Sequence, residues 1–170
     1  MIGEDNMKLR ITLLISFIFF TTVLLGKNLP QTFDKPAFYA TMSSGKLEDI
    51  NNELSFLNSA VTSNKEAYEG ALLMEKAGLV KLPMQKLKYF KEGRIKLETA
   101  LLNDNDNGEY HFLRLIIQEH APKIVKYSAQ LETDKEYIKK TFKNLQHTVQ
   151  QAIVSYSKSS KILHPEDLVY

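Results

Sequence analysis

The chain has no cysteine and no tryptophan, and only 7 glycines and 5 prolines among its 170 residues. Each shortage excludes something. Without thiols there is no disulfide, no thiolate nucleophile and no thiolate metal site. A lipid-anchored export route is also closed, because it needs a Cys just after an apolar leader. Few glycines and prolines argue against a turn-rich β architecture. Neither sign of charge is in excess. Lys and Arg number 22 against 20 Asp and Glu, a net charge of +2, and no basic block stands out, so nucleic acid is not an expected partner. Chemical signatures are missing too. There is no G-x-S-x-G elbow and no Gly-rich phosphate loop. The four histidines, His111, His120, His147 and His164, never fall three or four apart, so no helix offers a two-His metal face. No catalytic residue, cofactor or metal is expected.

What is present begins with Ile11 to Leu25, an uncharged apolar run that follows Lys8 and Arg10. A basic start, an apolar stretch and then a small residue, Gly26, make the order of a secretory signal peptide. The run reaches about 22 Å as a helix at roughly 1.5 Å per residue, short of the bilayer's hydrocarbon core of about 30 Å. The expectation is therefore a signal peptide over residues 1–26, with a short membrane anchor as the alternative and Met7 as a possible start. Removal through Gly26 leaves the net charge unchanged, because Lys8 and Arg10 go with Glu4 and Asp5. The implied location is exported, periplasmic or secreted.

Residues 27–33 read as a linker, 34–163 as one helical domain and 164–170 as an exposed tail. Asp34 and Pro36 open a short helix that Gly45 stops. Leu47, Ile50, Leu54 and Leu57 give a second helix one apolar face. The third, from Lys65 to Ala77, carries Ala67, Gly70, Ala71 and Met74, small enough for close helix approach, and Gly78 is its expected stop. A fourth runs from Pro83 to Leu102, with Met84, Leu87, Phe90, Leu97 and Leu101 as its buried stripe and its lysines as a solvated face. The polar run Asn103 to Gly108 is a turn. The fifth, from Glu109, is apolar around much of its circumference and should lie centrally. Pro122 limits it, and Lys123 to Ser128 reads as one more short turn or a kinked helix. Thr133 with Glu136 reads as a capping box for a last long helix, about residues 134–161, striped by Ile138, Phe142, Leu145, Val149, Ile153 and Tyr156. The fold class is all-α, an antiparallel helix-hairpin array of about six helices.

The stretch Lys96 to Ile116 resembles the junction between two tetratricopeptide repeats. Ala100, Asp104, Asn107 and Glu109 match that pattern in order, while Asn105 and Leu115 depart from it. Ala100 permits tight helix contact, Asp104 and Asn107 favour the turn, and Glu109 suits a helix start. The resemblance implies stacked helix pairs with a concave face that binds a peptide or protein, and it brings no catalytic residues.

Candidate contacts are Tyr39, Tyr68, Tyr89, Tyr110 and Arg114, since Tyr and Arg are favoured at binding hot spots, although core packing is the competing role for each ring. The main reading is thus a protein-interaction or scaffold module outside the cytoplasm, with a protein or peptide partner and with membrane contact only through an uncleaved leader. The alternative is a small metal-independent enzyme or ligand-binding helical protein using Glu119 and His120. A pocket converging on His120 would favour the alternative; an open groove of Tyr and Arg would favour the first. The run at 103–108 fails as a calcium loop, because a start at Asn103 puts Arg114 where the twelfth-position Glu belongs.

Overall fold

The computed structural model describes residues 32–60, 62 and 65–168. The expected signal peptide, residues 1–26, and most of the expected linker, residues 27–31, lie outside these. Among the described residues seven α-helices follow one another: α1 Lys35–Ser44, α2 Leu47–Ser59, α3 Lys65–Leu79, α4 Pro83–Asn103, α5 Gly108–His120, α6 Leu131–Thr141 and α7 His147–Ser157. Three short 3-10 turns join or trail them, Lys123–Val125, Phe142–Asn144 and Pro165–Leu168. The all-α class expected from periodicity is what forms. Among the described residues, no helix is long and apolar enough to cross a membrane.

Local chemistry sets the boundaries. Asp34 caps α1, its carboxylate accepting from the Ala37 N–H at 3.3 Å, and Pro36 sits in the first turn. Gly45 ends α1 at φ 64°, a conformation that glycine adopts without strain. Asn107 caps α5 by accepting from both Glu109 and Tyr110, and its amide donates to Asp104 at 2.8 Å. That turn folds α5 back along α4.

Helix α5 is central. Every residue from Gly108 to Gln118 is buried. Phe112, Leu115 and Ile116 face a core with Ile138, Val149, Ile153 and Leu163, while Tyr110, Leu113 and Ile117 face a larger one built on α1 to α4. Tyr39 and Met42 touch both cores. In the larger core α3 and α4 make backbone contact. A Cβ on Gly93 would lie 2.5 Å from the Gly70 carbonyl oxygen, and one on Gly70 would lie 2.8 Å from the Gly93 carbonyl oxygen.

Several expectations change. Phe33, assigned to the linker, packs its ring 4.4 Å from that of Tyr68 and 5.8 Å from that of Phe38. Helix α3 runs through Gly78 to Leu79. Met84 and Leu87 leave the stripe of α4; the buried face is Gly93, Leu97, Ala100 and Leu101, with Phe90 at its edge. The face is set by where the glycines touch, not by the bulkiest residues. Leu47 stands at the surface.

The last long helix is two. It begins at Leu131, so Thr133 lies inside it and caps nothing. It breaks at Leu145, whose backbone is extended and whose N–H closes the short turn by donating to the Phe142 carbonyl oxygen at 3.2 Å. The Gln150 amide donates to the same Phe142 oxygen at 3.0 Å and to the Lys143 carbonyl oxygen at 3.2 Å. The apolar positions still point inward on both sides of the break, Ile138, Val149 and Ile153 being fully buried. The tail is partly tied down. The Asp167 carboxylate accepts from the His164 N–H and pairs with Lys135, each at 2.9 Å.

Candidate functional site: a cleft between the first and last helices

A cleft of about 740 Å³ opens between α1 and α7. Helical spacing builds its walls. Pro36, Tyr39, Ala40 and Ser43 repeat at three and four along α1, as do Thr148, Gln151, Ala152 and Ser155 along α7, with Ser159 in the turn just after it. Phe112, Ile116 and His120, four apart on α5, form the floor. Glu75 of α3 closes one end.

Two tyrosines flank Phe112, and each is fixed by a carboxylate of α5. The Tyr39 hydroxyl donates to Glu109 at 2.9 Å, with its ring 6.0 Å from that of Phe112. The Tyr156 hydroxyl donates to Glu119 at 2.6 Å, with its ring 5.6 Å from that of Phe112 and 6.1 Å from that of His120. Both hydroxyls are therefore occupied, and the cleft is offered ring edges and faces. Burial and the neighbouring Glu109 push the Tyr39 phenol well above its usual range. Burial and Glu119 do the same to Tyr156.

The two carboxylates are fully engaged. Glu109 also accepts from Lys35 at 2.6 Å and Tyr68 at 3.1 Å. Glu119 also accepts from the Ser160 hydroxyl and the Lys161 N–H, both at 2.6 Å, and so clips the segment after α7 onto α5. Burial works to raise the Glu119 pKa, but those hydrogen bonds outweigh it and hold the carboxyl below its usual range.

Glu75 contrasts with them. It makes no hydrogen bond within the described residues, and burial pushes its carboxyl upward against an opposing pull from His120. His120 Nδ1 lies 2.9 Å from the Ile116 carbonyl oxygen, which can only accept, so Nδ1 donates and Nε2 is left open. The cleft thus combines an apolar floor, a rim of small hydroxyl and amide side chains, and one uncommitted carboxyl beside one uncommitted imidazole nitrogen. Among the described residues, no serine hydrogen-bonds His120. The arrangement suits an apolar group on Phe112 and Ile116 with a donor or cation at Glu75.

Of the candidate contacts, Tyr39 and His120 meet in this cleft. Tyr68 and Tyr110 are core rings, 1% and 3% exposed. Burial, with Asp104 and Glu109 nearby, pushes the Tyr110 phenol up to about 12. Tyr89 lies elsewhere, under the Lys76 ammonium at 4.4 Å. Arg114 is buried in a charged knot. Its guanidinium donates twice to Asp134, at 2.9 and 2.6 Å, and once to Glu98 at 2.9 Å. Asp134 is wholly buried and also meets His111 at 2.6 Å and accepts from Gln118 at 2.7 Å. The other nitrogen of His111 faces the Asn105 carbonyl oxygen at 2.8 Å. Tyr137 stacks on that ring at 4.0 Å.

Sequence reasoning missed Glu75, Tyr156 and the Asp134 knot. Position on a helix could have placed Tyr156 beside Ala152, four residues earlier on the same face. Nothing local marks Glu75 or Asp134, whose partners lie on other helices. Among the described residues, no group of three or more His, Asp and Glu is arranged to hold a metal ion. No protein-family model, curated protein or solved structure matches the chain.

Proposed function

We propose that this chain is a non-catalytic, exported binding module that receives a short apolar segment of a partner protein in the α1/α7 cleft. The observation that carries the reading is the pair of tyrosines held by Glu109 and Glu119 on either side of Phe112. Rings fixed beforehand lose little freedom on binding, and Tyr is favoured where partners dock. The apolar run at Ile11 to Leu25 supports export. The tetratricopeptide-like reading of the α4/α5 turn is part of this proposal, with the cleft as its binding face.

The test places a photo-crosslinking residue at Ser155, on the cleft rim, and another at Ser55, on α2. Irradiation in the envelope fraction should give one reproducible protein adduct from Ser155 and none from Ser55. Ala152→Trp, which fills the cleft, should remove it. Equal adducts from both positions, or none from Ser155, would defeat the reading.

A second reading is favoured by Glu75: the same cleft holds a small apolar molecule carrying an amine. Its volume lies within the roughly 300–1,000 Å³ typical of small-molecule sites. In that case His120 would work with Glu75 rather than Glu119, whose oxygens are taken up by Tyr156, Ser160 and Lys161. An adduct whose added mass is that of a small molecule, lost in Glu75→Gln, would select this reading.

A further inference from the structure

We propose that a second surface, the end of the molecule formed by the start of α4 and the Lys123–Val125 turn, rests on an anionic lipid bilayer. The proposal is independent of the cleft. Four large apolar side chains protrude there: Leu82 is 59% exposed, Met84 86%, Leu87 52% and Ile124 88%. Lysines at positions 81, 86, 88, 91, 123 and 126 surround them, and neither residues 79–91 nor 121–126 contain an acidic residue. Their charge is largely uncompensated. Lys88 reaches Glu92 only at 3.9 Å, and Lys86 donates to the Gly78 carbonyl oxygen.

The two stretches are remote in sequence and joined by the fold. Helix α5 runs back along α4, so the turn after it arrives beside the first turns of α4. Tyr127 fixes the junction. Its ring meets Phe90 edge-on at 5.6 Å, Arg94 lies over it at 5.0 Å, and its hydroxyl donates to Glu98 at 2.6 Å. Met84, Leu87, Lys88 and Lys91 share a face of α4, while Gly93 and Leu97 bury another.

Charge complementarity calls for an acidic partner, and the shape of the patch selects a membrane. The apolar side chains stand out singly, each more than half exposed, and the cleft between α1 and α7 includes none of them. A folded protein would need a fitted recess for each one. A bilayer interface accepts isolated apolar side chains to a depth of several ångströms, and lysine stems lie along it with their ammonium groups among the headgroups.

The test uses the full chain labelled with a polarity-sensitive dye at Ile124→Cys or, as a control, at Ser55→Cys. The absence of any native cysteine makes each label unique. Vesicles are phosphatidylcholine alone or with about one-third phosphatidylglycerol, the anionic component on which surface attraction depends. The dye at 124 should shift to the blue on anionic vesicles only, and the dye at 55 on neither. Raising salt from about 50 to 300 mM should reverse the shift by screening. Adding Lys88→Glu and Lys91→Glu should weaken it by at least a factor of twenty-five, at about five-fold for each cation lost. The control dye shows whether any apolar N-terminal segment alone brings the chain to lipid. Three results would each overturn the proposal: a dye at 124 that stays in water on anionic vesicles, an equal shift on neutral vesicles, or a shift with poly-glutamate but not with vesicles.

Discussion

Helices α4 and α5 are neighbours in sequence and antiparallel in space, and they treat charge in opposite ways. On α5, Glu109, His111, Arg114 and Glu119 are all engaged, with partners drawn from α1, α3, α4, α6 and the segment after α7. On the first turns of α4, lysines stand beside bare Met84 and Leu87. The first pattern holds the helix layers together. The second leaves a surface free to meet something else. The difference teaches that a charge in an all-helical chain is best judged by whether other helices come to meet it.

The strongest way to break this contrast is Asp134→Ala. It strands Arg114 and His111 in the interior, and breaking a buried pair costs about 3–5 kcal/mol. Thermal denaturation should show a large loss; a change below about 1 kcal/mol would mean that the knot is not structural. Next is Gly93→Ala. Its methyl would press on the Gly70 carbonyl, and overpacking costs about 1–3 kcal/mol. Chemical denaturation measures it, and a neutral result would show that α3 and α4 can part freely.

A smaller effect is expected at Glu119. Its folded pKa lies below its unfolded one, so its stabilisation is present above the ordinary carboxylate range and is lost as pH falls through that range to the lowered folded value. The hydrogen-exchange protection of the Lys161 N–H, relative to its intrinsic rate at each pH, should fall over that acid window. Glu119→Gln should cost about 1 kcal/mol at neutral pH and remove the pH step; persistence of the step would assign it to another group. Smallest of all is Met84→Ser, expected within about 0.5 kcal/mol of the parent. A larger loss by calorimetry would mean that this side chain is packed and that the contrast between the two helices is false.

Much of the fold was legible because periodicity and caps are local. Asp34, Pro36, Gly45 and Asn107 act where the chain order places them, and the apolar girth of α5 announced a central helix. The stripe of α4 was misjudged because Gly93 and Ala100 bury as surely as Leu97, though they contribute little to an apolar count. The break at Leu145 was hidden because periodicity continues across it. The site was less legible. Tyr39 and His120 could be picked out by type, but a cleft is made by three helices, and only the fold shows that Tyr156 walls it or that Glu75 enters it without a partner. The lysine-rich end was equally hidden, since neither of its two segments forms a long basic block.

Where Gly70 and Gly93 touch, α3 and α4 meet backbone against backbone, with Met74 and Leu97 pressed close on either side. The two helices are registered like a notch in a key. Sliding one past the other by a turn would bring Met74 or Leu97 to a gap that holds only hydrogen. The pair can therefore separate or stay, with no halfway seating, and variation at either notch has almost nowhere to go.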